Sequence, residues 1–197
     1  NQISELGMGG GRLHELPSQR NLTSACTVFS HTVLDPGEIP HVLARAFAVF
    51  SSGRPGPVHI EIPINLLTVE LDFSPEGVQT VTRPGPDPQR IEEAARLLAS
   101  ASKPIIILGG GAVDAGVEAT QLVETLNCPV LTTIAGKGTV DESHPLSLGA
   151  TLPFRDVQAL IENANVVLAV GTEFAETDLL YTGRTPKFNG QLIRIDI

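Results

Sequence analysis

The glycine run Gly109-Gly110-Gly111 is the part of the sequence with the clearest potential for chemistry. It follows an unbroken apolar stretch, Ile105 to Leu108, and precedes a segment with helical spacing. Glycines at the start of a helix leave backbone N–H groups free, and such groups hold phosphate anions. Only half of the dinucleotide fingerprint G-x-G-x-x-G is present, because position 114 is Asp114. The run therefore indicates a strand–turn–helix unit more clearly than a bound dinucleotide.

Strand and helix patterns alternate around the glycine run. Apolar runs predict four strands, at 105–108, 129–133, 166–170 and 192–197. Helical spacing predicts the helices among them, over 88–98, 117–126 and 155–163. This alternation is typical of an α/β fold with a parallel sheet and right-handed crossovers, and ligands of such sheets lie beyond the carboxyl ends of the strands.

The N-terminal third predicts a second, shorter set of elements. Alternating residues indicate strands at 26–34 and 58–62, and a capped apolar stripe indicates a helix from Pro36 to Phe50. The proline-rich stretch that follows is typical of a linker. We therefore predict domains over 1–65 and 87–197, joined by a linker over 66–86.

Composition excludes several functional classes. Thirteen basic and twenty-two acidic residues give a net charge of −9, which disfavours nucleic acid and anionic membranes as partners. No apolar run approaches the roughly 20 residues that span a bilayer, and the N-terminus lacks the order of a secretory signal. Cys26 and Cys128 are predicted to be buried free thiols, which favours a cytoplasmic protein.

Five stretches carry a family resemblance: SGRPGPVHIEIP at 52–63, KPIIILGGGA at 103–112, CPVLTTIAGKG at 128–138, HPLSLGA at 144–150 and VVLAVGTEF at 166–174. In this order they resemble the acetolactate synthase-like family of thiamine diphosphate enzymes. The resemblance implies that 1–65 is the C-terminal part of an α/β pyrimidine-binding domain. It implies that 87–197 is most of a central domain with a Rossmann-like sheet of the type that binds NAD or FAD.

The same resemblance implies what the full-length protein does. Family members ionise the cofactor with an early glutamate and hold its diphosphate and Mg²⁺ through a GDG…N segment, and no GDG occurs here. We therefore expect a fragment that is inactive alone, from an enzyme that releases CO₂ from a 2-oxo acid and then protonates or couples the product. LHELPSQR and GTEFAETD resemble the branch that acts on guanidino 2-oxo acids. Family active sites between subunits imply a homodimer or homotetramer.

The resemblance also supplies candidate site residues. In flavin-containing relatives, the positions that match Gly110, Gly111, Thr133 and Gly171 line an adenine dinucleotide. Glu173 stands where those relatives carry an arginine, and a carboxylate repels a diphosphate. We therefore favour a glycine turn kept for packing over a site for FAD or ADP. His14 aligns with a segment that approaches the thiazolium and substrate, although an ordinary surface histidine fits equally well.

The remaining candidates have structural interpretations. Lys137 lies between two glycines and could meet an anion, but a solvated loop lysine fits better. Four histidines show no metal-ligand spacing and are expected to be structural: His31, His41, His59 and His144. Two other functions stay open, a nucleotide-binding module without thiamine chemistry and a spacer that separates catalytic domains. The zinc cysteines of a sirtuin are absent.

Overall fold

The structure, a computed structural model, describes residues 2–72, 81–179 and 186–197. Its contacts divide the chain into two units, residues 1–85 and 86–197, which we call unit 1 and unit 2. Residues 73–80 of the predicted linker lie outside the described residues. The division into 1–65, 66–86 and 87–197 stays a prediction.

Unit 1 is built on two parallel strands with helices between and before them. Its elements are α1 (Gln19–Ser24), β1 (Phe29–Thr32), α2 (Ile39–Ser52) and β2 (Val58–Glu61). The strands pair in register from Phe29 opposite Val58 to Thr32 opposite Glu61. Helix α1 was not predicted; the signal for it is Ser18, whose hydroxyl accepts a hydrogen bond from Asn21 N at 3.1 Å and caps the helix.

Only part of the apolar stripe of α2 is buried within unit 1. Val42 and Ala46 are buried, whereas Phe47 and Phe50 are 55% and 44% exposed. The ring of Phe29 on β1 lies under the Arg45 guanidinium at 4.3 Å, a cation–π contact between the helix and the strand. The helix therefore forms as predicted but leaves large aromatic side chains at the surface.

Unit 2 is a four-stranded parallel sheet between two layers of helices. Its elements are α3 (Pro88–Ala99), β3 (Pro104–Leu108), α4 (Gly116–Leu126), β4 (Val130–Thr132), α5 (Arg155–Glu162), β5 (Val166–Val170) and β6 (Gln191–Ile195). The strand order is β4-β3-β5-β6, with every pair parallel. This confirms the predicted Rossmann-like α/β fold with β3 inside the sheet.

The apolar run of β3 serves both faces of the sheet. Ile106 and Leu108 pack with α3 and α4 on one side, whereas Ile105 and Ile107 pack with α5 on the other. All four side chains are at most 2% exposed, and burying each contributes about 1.5–3 kcal/mol. Two cores on one strand explain why its sequence is continuously apolar rather than alternating.

Helix ends in unit 2 follow local signals in the sequence. Asp87 caps α3 by accepting a hydrogen bond from Gln89 N at 2.9 Å, and Pro88 occupies the first turn, as predicted. Asn127 ends α4 in the left-handed conformation. Within the described ranges, no helix combines the length and apolar character needed to cross a bilayer.

The two cysteines differ in their surroundings. Cys128 is buried at 1% exposure, as predicted, and burial raises the pKa of its thiol to about 11. Cys26 is exposed, so the prediction of a buried thiol at this position is wrong. The strand predicted from residue 26 begins only at Phe29, and Cys26 lies in the turn after α1. Both thiols are free.

Candidate functional site

The carboxyl edge of the unit 2 sheet holds the residues predicted to bind a nucleotide. The chain leaves β3 towards β4 and leaves β5 towards β6, so the point where the strand order reverses lies between β3 and β5. Open α/β sheets place their ligands in the crevice at this point. The structure brings Gly111 and Gly171 together there, one after each strand.

Backbone groups of the protein itself occupy this crevice. Gly109 N donates to Val170 O at 2.8 Å, Gly111 N donates to Gly171 O at 3.1 Å, and Ala112 N donates to Gly109 O at 3.0 Å. Three N–H groups of this turn are therefore already bonded to carbonyl oxygens. We call this junction of residues 109–112 and 170–171 the glycine seal.

Side chains at Gly111 or Gly171 would disrupt the glycine seal. A Cβ on Gly111 would lie 2.8 Å from Gly171 Cα, and a Cβ on Gly171 would lie 2.5 Å from Gly111 Cα. Gly171 also has φ +62°, in the left-handed region that L side chains rarely adopt. The close approach of two backbones accounts for both glycines without a ligand.

Thr133 and Asp178 close the neighbouring part of the edge. Thr133 is 2% exposed; its N donates to Leu108 O at 2.9 Å, and its hydroxyl accepts from Gly136 N at 3.1 Å. Asp178 is also buried, and its carboxylate accepts from Ile134 N at 3.0 Å. A buried carboxylate at this edge opposes the binding of a diphosphate.

Sequence reasoning missed the cation at the same edge. Arg194, near the end of β6, donates to Thr172 O at 3.2 Å and to the Asp196 carboxylate at 2.8 Å. Its side chain ties the loop after β5 to the last strand. The strand was predicted from its apolar residues, and Arg194 interrupts them near the end of the strand. This interruption is the signal that could have identified Arg194.

His14 lies at a cavity in unit 1. The cavity has a volume of about 330 Å³, and its lining includes His14, Thr32 and Glu61. His14 is exposed and has φ +58°, an unusual conformation for a residue with a side chain. Sequence reasoning identified His14 but missed Thr32 and Glu61, which no motif connects to it.

Glu15 holds the loop that carries His14. Its carboxylate accepts hydrogen bonds from Gly10 N at 3.1 Å and from Arg12 N at 2.9 Å. These bonds, with that from Arg12 first, keep the pKa of Glu15 below its ordinary value. The Arg12 side chain pairs in turn with Glu5. The ionised carboxylate therefore fixes the loop from residue 10 to residue 15.

Three of the other histidines have local partners. His59 Nδ1 lies 2.9 Å from Ser30 Oγ, and His31 Nε2 lies 2.8 Å from Glu38 Oε2. His144 Nδ1 accepts from Leu146 N at 3.2 Å. Lys137 is exposed, with Glu142 at 3.5 Å. These contacts link strands and loops, and the structural interpretation of these residues stays a prediction.

Comparison with known proteins identifies the family. Residues 91–197, more than half of the chain, match the model described as "Thiamine pyrophosphate enzyme, central domain". The chain belongs to this family. The match covers the sheet of unit 2 and most of its helices, and the predicted resemblance is confirmed.

Individual relatives extend the match into unit 1. A probable 2-ketoarginine decarboxylase of Pseudomonas aeruginosa is 42% identical over 100% of this chain and 35% of the relative. A probable acetolactate synthase large subunit of Methanococcus aeolicus is 37% identical over 81% of the chain and 28% of the relative. A glyoxylate carboligase of Escherichia coli is 31% identical over 84% of the chain and 29% of the relative. The chain thus spans about a third of the length of these relatives.

The described residues supply no set of side-chain ligands for the metal ion of thiamine diphosphate. They bring together no group of three or more His, Cys, Asp or Glu side chains able to hold a metal. In the glycine seal, the N–H groups of Gly109, Gly111 and Ala112 are bonded within the protein. These bonded N–H groups, and the buried Asp178 carboxylate at the same edge of the sheet, oppose the binding of a diphosphate such as that of FAD or ADP.

Proposed function

We propose that this chain is part of a thiamine diphosphate-dependent enzyme that uses Mg²⁺ and decarboxylates a guanidino 2-oxo acid. The observation that carries the proposal is the 42% identity with a probable 2-ketoarginine decarboxylase, which extends over all of this chain. Acetolactate synthases and glyoxylate carboligase match over smaller shares of it, at lower identity. These relatives support the wider class, in which a 2-oxo acid is decarboxylated or coupled to a second molecule.

Within that enzyme, the central domain acts as a scaffold. Its sheet is packed on both faces, and backbone hydrogen bonds join the two segments that border the crevice where a nucleotide would lie. The candidate residues Gly110, Gly111, Thr133 and Gly171 then serve packing rather than FAD or ADP. The free thiols are compatible with a cytoplasmic enzyme. We include a homodimer or homotetramer in the proposal.

The test uses the full-length protein that contains this chain. With thiamine diphosphate and Mg²⁺ it should release CO₂ from 5-guanidino-2-oxopentanoate faster than from pyruvate, and omission of either cofactor should abolish the reaction. Analysis of the product distinguishes the aldehyde of a decarboxylase from the hydroxy-oxo acid of a carboligase. A protein that released CO₂ from no 2-oxo acid with both cofactors present would overturn the proposal.

The same preparation tests the scaffold role. The purified protein should show no flavin absorbance, and added FAD or ADP should leave its melting temperature unchanged. A nucleotide at 100 times its dissociation constant would stabilise the protein by about 2.7 kcal/mol. A stabilisation of that size would show that the glycine seal opens for a ligand.

A further inference from the structure

The cavity of unit 1 lies where a parallel sheet places its ligands. Thr32 and Glu61 are the last residues of β1 and β2, and they stand side by side in the register of the two strands. Both line the cavity, which therefore opens at the carboxyl ends of the strands. Its volume of about 330 Å³ falls at the lower end of the range for small-molecule sites.

The lining combines apolar side chains with one carboxylate. Leu6, Leu13 and Leu16 contribute apolar surface, and Glu61 contributes the negative charge. Of the described residues that line the cavity, none is an arginine or a lysine. A ligand with an aliphatic stem and a cationic end matches this combination.

Thr32 holds the Glu61 carboxylate in place. Its hydroxyl donates to Glu61 Oε2 at 2.8 Å, and it is the hydrogen-bond partner of that carboxylate among the described residues. An ionised carboxylate has about four acceptor positions, so this bond leaves most of them for a ligand. The hydroxyl orients the group without neutralising its charge.

His14 is held against the same cavity in a strained conformation. Its φ is +58°, and bonds from Gly10 N and Arg12 N to the Glu15 carboxylate hold the loop that carries it. Strain of this kind concentrates at ligand sites. The loop thus keeps an imidazole at the cavity instead of relaxing to an ordinary turn.

We propose that this cavity binds the guanidinium end of the substrate, with Glu61 as the anionic anchor and Thr32 as its positioning residue. The inference rests on the proposed function, and it adds the residue that selects a cationic substrate. A guanidinium presents paired N–H donors in one plane, which a carboxylate accepts in a bidentate arrangement.

The decisive experiment compares two substrates of the same shape in the full-length enzyme. One is 5-guanidino-2-oxopentanoate, and the other is its neutral ureido analogue. Glu61→Gln should raise KM for the guanidino substrate about 10- to 100-fold, the range for a hydrogen bond to a charged group. KM for the ureido substrate should stay nearly unchanged. The amide oxygen of the variant still accepts the Thr32 hydrogen bond, so the fold is kept.

Glu70→Gln is the matched control, because it removes one negative charge from an exposed position of unit 1 that does not line the cavity. It should change neither KM. If Glu61→Gln altered both substrates equally, or if Glu70→Gln reproduced its effect, the anchor role of Glu61 would be overturned.

Direct binding separates this inference from the proposed function. By calorimetry, n-butylguanidinium should bind the full-length protein more tightly than n-butylurea, and Glu61→Gln should remove the difference. That result in a protein that releases CO₂ from no 2-oxo acid would support the site while the proposed function fails. Turnover of 2-oxo acids with no preference for the guanidinium probe would overturn the site alone.

Discussion

Units 1 and 2 end their parallel strands in opposite ways. In unit 2, the segments after β3 and β5 meet at the glycine seal, where Gly111 N bonds Gly171 O at 3.1 Å. In unit 1, the ends of β1 and β2 carry Thr32 and Glu61, which border a cavity of about 330 Å³. The carboxyl edge of the sheet is therefore closed by backbone hydrogen bonds in unit 2, whereas side chains border an open cavity at this edge in unit 1.

This difference shows that sheet topology determines where a site can lie, but not which chemical groups line it. Glycine at both strand ends allows two backbones to touch, and their N–H groups are then consumed by carbonyl oxygens. At the ends of β1 and β2, Thr32 and Glu61 instead present a hydroxyl and a carboxylate to the cavity. A Rossmann-like sheet alone is therefore weak evidence for a bound nucleotide.

Replacing Gly171 by alanine should break the glycine seal. The new Cβ would lie 2.5 Å from Gly111 Cα, and the residue would keep φ +62°. We expect a loss of about 2–5 kcal/mol, from about 1–2 kcal/mol of left-handed strain and about 1–3 kcal/mol of overlap. Urea unfolding measures it, with the labelling of buried Cys128 as a probe of unit 2 alone.

Gly138→Ala separates strain from overlap. Gly138 has φ +88° but no atom within 4 Å of its missing Cβ, so only the strain of about 1–2 kcal/mol applies. Equal losses for the two variants would mean that the contact between Gly111 and Gly171 contributes nothing to unit 2.

Alkaline pH should weaken unit 2 through Cys128. Burial raises the pKa of this thiol from 9.0 to about 11, so the native state keeps a proton that the unfolded chain loses. The resulting stability is complete below pH 9 and is lost as the pH rises through 11. We expect the free energy of unfolding to fall by about 2 kcal/mol over this range, measured by denaturant titration at each pH.

The two cysteines supply the comparison for this measurement. Cys128→Ala should remove about 2 kcal/mol of the alkaline loss. Cys26→Ala should leave it unchanged, because Cys26 is exposed. If the Cys26 variant also flattened the pH dependence, burial of Cys128 would not be its cause.

The sequence predicted unit 2 better than unit 1, for physical reasons. The apolar runs 105–108 and 166–170 can be buried on both faces only as interior strands, so their local pattern determines their place. The glycine seal joins residues 60 positions apart, and no local pattern reports such a contact. The segment around His14 lacks periodicity. The sequence therefore predicted neither helix α1 nor the position of His14 at the cavity.

The smallest predicted effect concerns the loop that carries His14. It tests whether a carboxylate holds this loop in unit 1, whereas backbone carbonyl oxygens hold the glycine seal in unit 2. Hydrogen bonds from Arg12 N and Gly10 N keep the pKa of Glu15 below 4.5, so the loop is held above that value and released as the pH falls through the lower folded value. In an NMR titration, the Gly10 and Arg12 amides should shift with this lowered pKa, and Glu15→Gln should abolish the shift. The Gly111 amide is bonded to a carbonyl and should not follow it. A Gly111 amide that moved with the other two would remove the distinction between the two units.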